Sequence, residues 1–203
     1  MMPTARKNDI VLVRHGQTEW SISGRHTGRT DIPLTDLGRQ QADALGGMLQ
    51  GLDFSLVLSS PLTRAWETMQ RAGYAGKGMP DEHILEWDYG VFEGRTTADI
   101  REAEPDWSVW TSPIVGGETV DDVGVRADTA IERCLGAPGP VAVFAHGHFL
   151  RIMTARWMGL PAAAGRHLSL GTATVSTLGW ERETRVLQMW NDACHLNSMD
   201  PVV

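Results

Sequence analysis

A chain of 203 residues, 42% hydrophobic and 21% charged, can bury a sizeable core and is short for two domains, so one α/β or α+β domain is expected. Its net charge of −7, with no run of Lys or Arg to offset it, argues against nucleic acid or an anionic membrane as main partner. Residues 1–9 lack the apolar centre of a secretion signal, no apolar run approaches a membrane span, and Cys134 and Cys194 form no CxxC pair, so a cytoplasmic protein with reduced, structural thiols is expected.

The first element is "NDIVLVRHG", an apolar run that reads as a buried strand and ends abruptly in Arg14 and His15. A helix follows over 35–52 with Thr35 as N-cap. "SLVLSS" (55–60) is a second strand, feeding a helix that starts at Pro61 with Ser60 as cap. Leu62, Ala65, Trp66 and Met69 make its core stripe, which leaves Arg64 about 200° round from Leu62 and free to lean over the sheet edge. Residues 88–116 are polar and glycine-rich with short helical fragments, and a helix spans 118–135, with Glu118 reading as its capping residue. A strand and a helix share 139–160, and "TATVSTLGW" and "RVLQMW" pair as a hairpin around "ERET". Alternating strands and helices predict a three-layer α/β sandwich, a mostly parallel central sheet with helices on both faces, as a single domain over 1–203.

In open α/β sheets ligands bind outside the carboxyl ends of the strands. "VLVRHG", "VLSSPLTR" and "VFAHGH" therefore gather Arg14, His15, Arg64 and His146 into one crevice, which only an anion reconciles. Arginine's planar fork suits phosphate oxygens. Gly16 and Gly147, each after a histidine, are expected to let the backbone approach a ligand. An imidazole held by a carbonyl on one nitrogen can attack phosphorus with the other, while cationic side chains supply what a metal otherwise would. A carboxylic acid must then protonate the leaving oxygen. His146 and His148 lack further Cys or HxxxH ligands, so no metal site and no cofactor are expected.

"LVRHGQTEW", "SSPLTRAWET" and "FAHGHFLR", in this order, resemble the histidine phosphatase superfamily, with its phosphoglycerate-mutase-like fold. The resemblance implies that His15 is the phosphorylated nucleophile, that Arg14, Arg64 and His146 form the phosphate pocket, and that Glu86 is the general acid. Mutase members usually show Asn where this chain has Ser21 and carry a longer arginine-rich insertion after the acid motif; here that region holds only Arg95 and Arg101. This favours a phosphomonoesterase acting on small phosphorylated metabolites, sugar phosphates foremost, over a phosphoglycerate mutase or a non-catalytic phospho-ligand-binding domain. Within the family, "EWDYGVFEG" and "AHGHFLR" look most like a subgroup of bacterial acid phosphatases and fungal sedoheptulose-1,7-bisphosphatases, which implies that Tyr89 and Arg151 contact substrate. Ser21, Thr27, Gly28 and Gly147 complete the expected substrate contacts, with the "HTG" turn from His26 equally readable as plain surface. His148 reads as structural, Trp107 and Trp110 as one packed helical face in preference to a substrate-pocket wall, and His83, His167 and His195 as structural or exposed. The partner is a small phosphate ester; a homo-oligomer is left open.

Overall fold

The computed structural model describes Arg6 and residues 8–197. Six strands form one sheet: β1 (Ile10–Arg14), β2 (Leu56–Ser59), β3 (Gly78–Pro80), β4 (Val141–Ala145), β5 (Val175–Glu181) and β6 (Thr184–Asp192), in the spatial order β3-β2-β4-β1-β5-β6. The pairs β3–β2, β2–β4 and β4–β1 are parallel, and β5 runs antiparallel between β1 and β6. The α-helices are α1 (Glu19–Ser23), α2 (Asp36–Leu49), α3 (Thr63–Met69), α4 (Thr97–Arg101), α5 (Val120–Leu135) and α6 (Gly147–Trp157).

The central strands are apolar throughout because both sheet faces are covered. Val11 and Val13 of β1, with Ala142 and Phe144 of β4, pack with Leu45 and Leu49 of α2 and Met69 of α3. On the other face Ile10, Leu12, Val141 and Val143 meet Val123 and Ile131 of α5 and Phe149 and Ile152 of α6. This is the three-layer arrangement expected. No helix among the described residues is long and apolar enough to cross a membrane.

Several local expectations are corrected. The helix after β2 starts at Thr63, with Leu62 at its N-cap position, and Ser60 does not cap it. Ser60 still belongs to the sheet, its N–H donating to Phe144 O at 2.9 Å, so the chain needs two more residues to turn. Thr119, not Glu118, caps α5, through a capping box with Asp122. Trp107 and Trp110 lie in turns rather than on a helix, with only Trp107 fully buried. β3 was not anticipated, being three residues at the sheet edge and ending in proline.

Candidate active site

His15 follows the last residue of β1 and is tied by its backbone to both neighbouring strand ends, its N–H donating to Ala145 O (3.0 Å) and its C=O accepting from Ala173 N–H (2.9 Å). Its Nδ1 lies 2.7 Å from Gly16 O. A carbonyl only accepts, so Nδ1 carries the ring proton and Nε2 keeps its lone pair. Nε2 has no protein partner, and the ring lines a polar cavity at the carboxyl end of the sheet. Burial, then the Arg64 and Arg14 charges, hold the His15 pKa well below the ordinary histidine value, so the imidazole is neutral at pH 7.

Arg64 is fully buried without a carboxylate beside it. Its Nε donates to His146 Nδ1 (3.1 Å), Nη1 to Thr30 O (2.9 Å) and Nη2 to Gly28 O (2.8 Å), leaving one N–H on each terminal nitrogen. Because Arg64 Nε must donate, His146 carries its proton on Nε2, which sits 2.7 Å from Ser60 Oγ. Both nitrogens of His146 are thus occupied by protein, and the ring stands behind Arg64 rather than on the cavity wall, 5.3 Å from the His15 ring. Gly28, expected at the substrate, is likewise off the wall: its carbonyl seats Arg64, its φ of 57° lies in the left-handed region, and a Cβ there would run into the Glu93 carboxyl group.

Arg14 donates through Nη1 to Leu170 O, while its buried Nε has no partner. Burial lowers its pKa to about 10, with Glu86 and Tyr89 opposing, so the guanidinium stays charged at neutral pH. Gly147 lines the cavity beside Arg14, whereas Gly16 is off its wall and serves packing inside the protein. A Cβ on Gly147 would lie 3.3 Å from Arg14 Nε, and one on Gly16 would lie 2.4 Å from Gly38 O of α2. Gly16 therefore lets α2 close on the turn behind His15.

Glu86 lies across the cavity on an irregular loop. Oε1 accepts from Trp87 N–H (3.0 Å) and Phe149 N–H (2.9 Å), and Oε2 from His148 N–H (3.1 Å), so it sits over the N-terminus of α6. Beside it Tyr89 Oη and His148 Nδ1 are 2.6 Å apart. Burial pushes the phenol pKa well up and the imidazole pKa well down, so a neutral Tyr89 O–H donates to a neutral His148 whose proton is on Nε2. Arg151 reaches the wall as its helical phase implied, with Nε on Gly165 O (3.1 Å) and its guanidinium 4.7 Å from the Trp110 ring centre. Ser21 and Thr27 both line the cavity; the Ser21 hydroxyl donates to Thr18 O at 2.8 Å. His26 lines it too, with burial lowering its pKa to about 4.

The cavity holds about 420 Å³ and is lined by five arginines, Arg14, Arg25, Arg64, Arg101 and Arg151, against one acidic side chain, Glu86. Among the described residues no three His, Cys, Asp or Glu side chains are placed to hold a metal ion. Sequence reasoning missed Ser60 and the pocket-facing part of His148, and it preferred a packed face for Trp110, which lines the cavity. Ser60 carried a usable signal, since it stands at a strand end beside the predicted crevice.

The family model of the histidine phosphatase superfamily (branch 1) matches residues 10–193. An acid phosphatase from Mycobacterium tuberculosis is 43% identical over 187 residues, covering 90% of this chain and 91% of its own. Sedoheptulose 1,7-bisphosphatase from Saccharomyces cerevisiae is 35% identical over 184 residues, covering 74% of this chain and 67% of its own. The solved structure of an open reading frame product from Mycobacterium tuberculosis superposes with a TM-score of 0.86 at 40% identity, over 91% of this chain and 97% of that one. The match spans all the strand ends that build the cavity, and the chain belongs to the histidine phosphatase superfamily, branch 1.

Proposed function

We propose that this chain is a metal-independent phosphomonoesterase that hydrolyses small phosphorylated metabolites, sugar phosphates foremost, through a phosphohistidine at His15. The observation that carries the reading is the His15 ring itself: Nδ1–H held on Gly16 O, neutral, with Nε2 unprotonated at the cavity. Nε2 attacks phosphorus while the ester P–O bond breaks on the opposite side. The Arg14 and Arg64 guanidiniums neutralise the equatorial oxygens, a role that cations fill well in a desolvated site. Glu86 gives its proton to the leaving oxygen, then takes one back from the water that cleaves the N–P bond and releases orthophosphate. The second step returns both groups to their starting states.

Preference for a sugar moiety is supported by the rest of the wall, where Ser21, Thr27, Thr97 and Ser108 line the same cavity as Trp20 and Trp110. Such a mixture of hydrogen-bonding groups and flat apolar faces suits a polyol. The acid phosphatase and bisphosphatase names of the relatives support phosphate-ester hydrolysis.

His15→Ala should lower phosphate release from p-nitrophenyl phosphate by at least about 10³-fold. Wild-type protein should be inhibited by vanadate, keep its rate in EDTA, and yield an acid-labile phosphoenzyme on rapid quenching. An unchanged rate in His15→Ala, or loss of activity on chelation, would overturn the mechanism.

A further inference from the structure

Glu86 lies in an irregular stretch, 85–89, between the short 3-10 turns Glu82–Ile84 and Gly90–Phe92, and the backbone there is gripped from outside the cavity by a single saturated arginine. Arg126, on α5, spends every N–H it has: Nη1 donates to His83 O (2.7 Å) and Leu85 O (2.9 Å), Nη2 to Glu86 O (3.4 Å), and Nε and Nη2 to the two oxygens of Glu118 (2.6 and 2.8 Å). Glu118 then holds the other side of the same loop. Its Oε2 accepts from Asp88 N–H (3.0 Å), its backbone N–H donates to Asp88 O (3.0 Å), and its backbone C=O accepts from Trp87 Nε1 (2.8 Å). Acceptors at 83, 85 and 86 and bonds at 87 and 88 leave Glu86 bracketed on both flanks. Neither Arg126 nor Glu118 lines the cavity.

We propose that Arg126 and Glu118 are positioning residues for proton transfer, a bidentate strut that sets the place of the Glu86 carboxyl against the leaving-group oxygen. The inference rests on Glu86 being the proton donor. A strut of this kind is more than a surface ion pair. The bidentate geometry is directional, both side chains are largely shielded, and the remaining donors end on peptide carbonyls of the loop rather than in solvent. Burial opposes ionisation of Glu118, but its bonds to Arg126 and Asp88 hold its pKa below the ordinary value, so the strut stays charged through neutral pH. Glu118 also takes Arg29 Nη2 at 3.3 Å. Arg29 lies between Gly28 and Thr30, whose carbonyls seat Arg64. The same carboxylate therefore spans from the acid loop to the seat of the phosphate-facing arginine.

Lysine has fewer donors in a different geometry and cannot reproduce the fork, so Arg126→Lys releases part of the loop. Glu118→Gln keeps the side chain's shape but removes its charge and one of its acceptors. The test compares p-nitrophenyl phosphate, whose leaving group needs no proton, with glycerol 1-phosphate, whose alkoxide does. Arg126→Lys and Glu118→Gln should lower kcat/KM on glycerol 1-phosphate by about 30- to 100-fold and leave kcat/KM on p-nitrophenyl phosphate within about 3-fold, because kcat/KM reports phosphoryl transfer and not the later hydrolysis that both substrates share, and the loss lies within the range that general acid catalysis supplies. Added to Glu86→Gln, either substitution should cause little further loss, because residues acting as one unit are not additive. Equal losses on both substrates, no loss on either, or full additivity with Glu86→Gln would each overturn the strut. If Glu86→Gln alone showed no leaving-group dependence, the proton-donor reading would fail first, which separates the two outcomes. Should Arg126→Lys melt below assay temperature, Glu118→Gln decides the matter.

Discussion

Two histidines at the carboxyl end of the sheet carry opposite tautomers, and each is set by what its neighbour is able to do. Gly16 O can only accept, so His15 holds its proton on Nδ1; Arg64 Nε can only donate, so His146 holds its proton on Nε2. The first arrangement presents a lone pair to the cavity, and the second fixes an arginine. With its pKa held well below the ordinary value of about 6.5, the His15 ring does not gain a proton until the solution is well below that pH. The acid limb of kcat/KM assigned to His15 should accordingly lie below pH 6, and a plot against pH that falls with a midpoint at 6.5 or higher would contradict it. At this scale Arg14 and His15 were readable from sequence, because an apolar strand running straight into charge has few structural uses. Ser60 and Glu118 were misread as helix caps for the same reason: both stand just before a helix, where caps are common, and only the fold reveals that His146 and Asp88 have taken their side chains.

At the level of elements, the turn that follows His15 is a packing joint. Gly16 N–H donates to Thr68 Oγ1, Gln17 N–H to Gln41 Oε1, and Thr35 N–H to Gln17 O, so α2 and α3 both bear on the turn. Gly16 and Gly38 face each other so closely that a Cβ on either would meet backbone, at 2.4 Å and 2.1 Å. Gly16→Ala should therefore destabilise the fold by about 1–3 kcal/mol and also displace His15, lowering kcat. Thermal melting together with a single-turnover assay checks this; a variant with wild-type melting temperature and rate would refute it. The strands of the sheet centre were legible because burial on both faces leaves an unbroken apolar run. The edge strand Gly78–Pro80 and the turns around Trp107 were not, since neither has a periodicity to read.

Across the whole molecule the net charge of −7 conceals a cavity faced by five arginines and one glutamate, so composition alone would have misjudged what binds. The histidines make a second molecule-wide point. His15, His26, His146, His148 and His195 all have pKa values lowered in the fold, chiefly by burial. Unfolded histidine titrates near 6.5, so below that pH the unfolded chain binds more protons and stability falls as pH falls. The loss begins at about pH 6.5 and continues towards the folded values, about 4 for His26, which alone contributes on the order of 3 kcal/mol. Denaturant titrations between pH 7 and 4.5 should show a steady drop in midpoint, and a flat profile would contradict the buried, neutral state of these rings.

Arg64 shows what such burial does for recognition. With three of its nitrogens already tethered to Thr30, Gly28 and His146, the side chain has no rotamers left to surrender when a phosphoryl group arrives. The entropy of immobilising that long flexible arm is absorbed when the chain folds, so an incoming dianion meets a receptor that is already rigid.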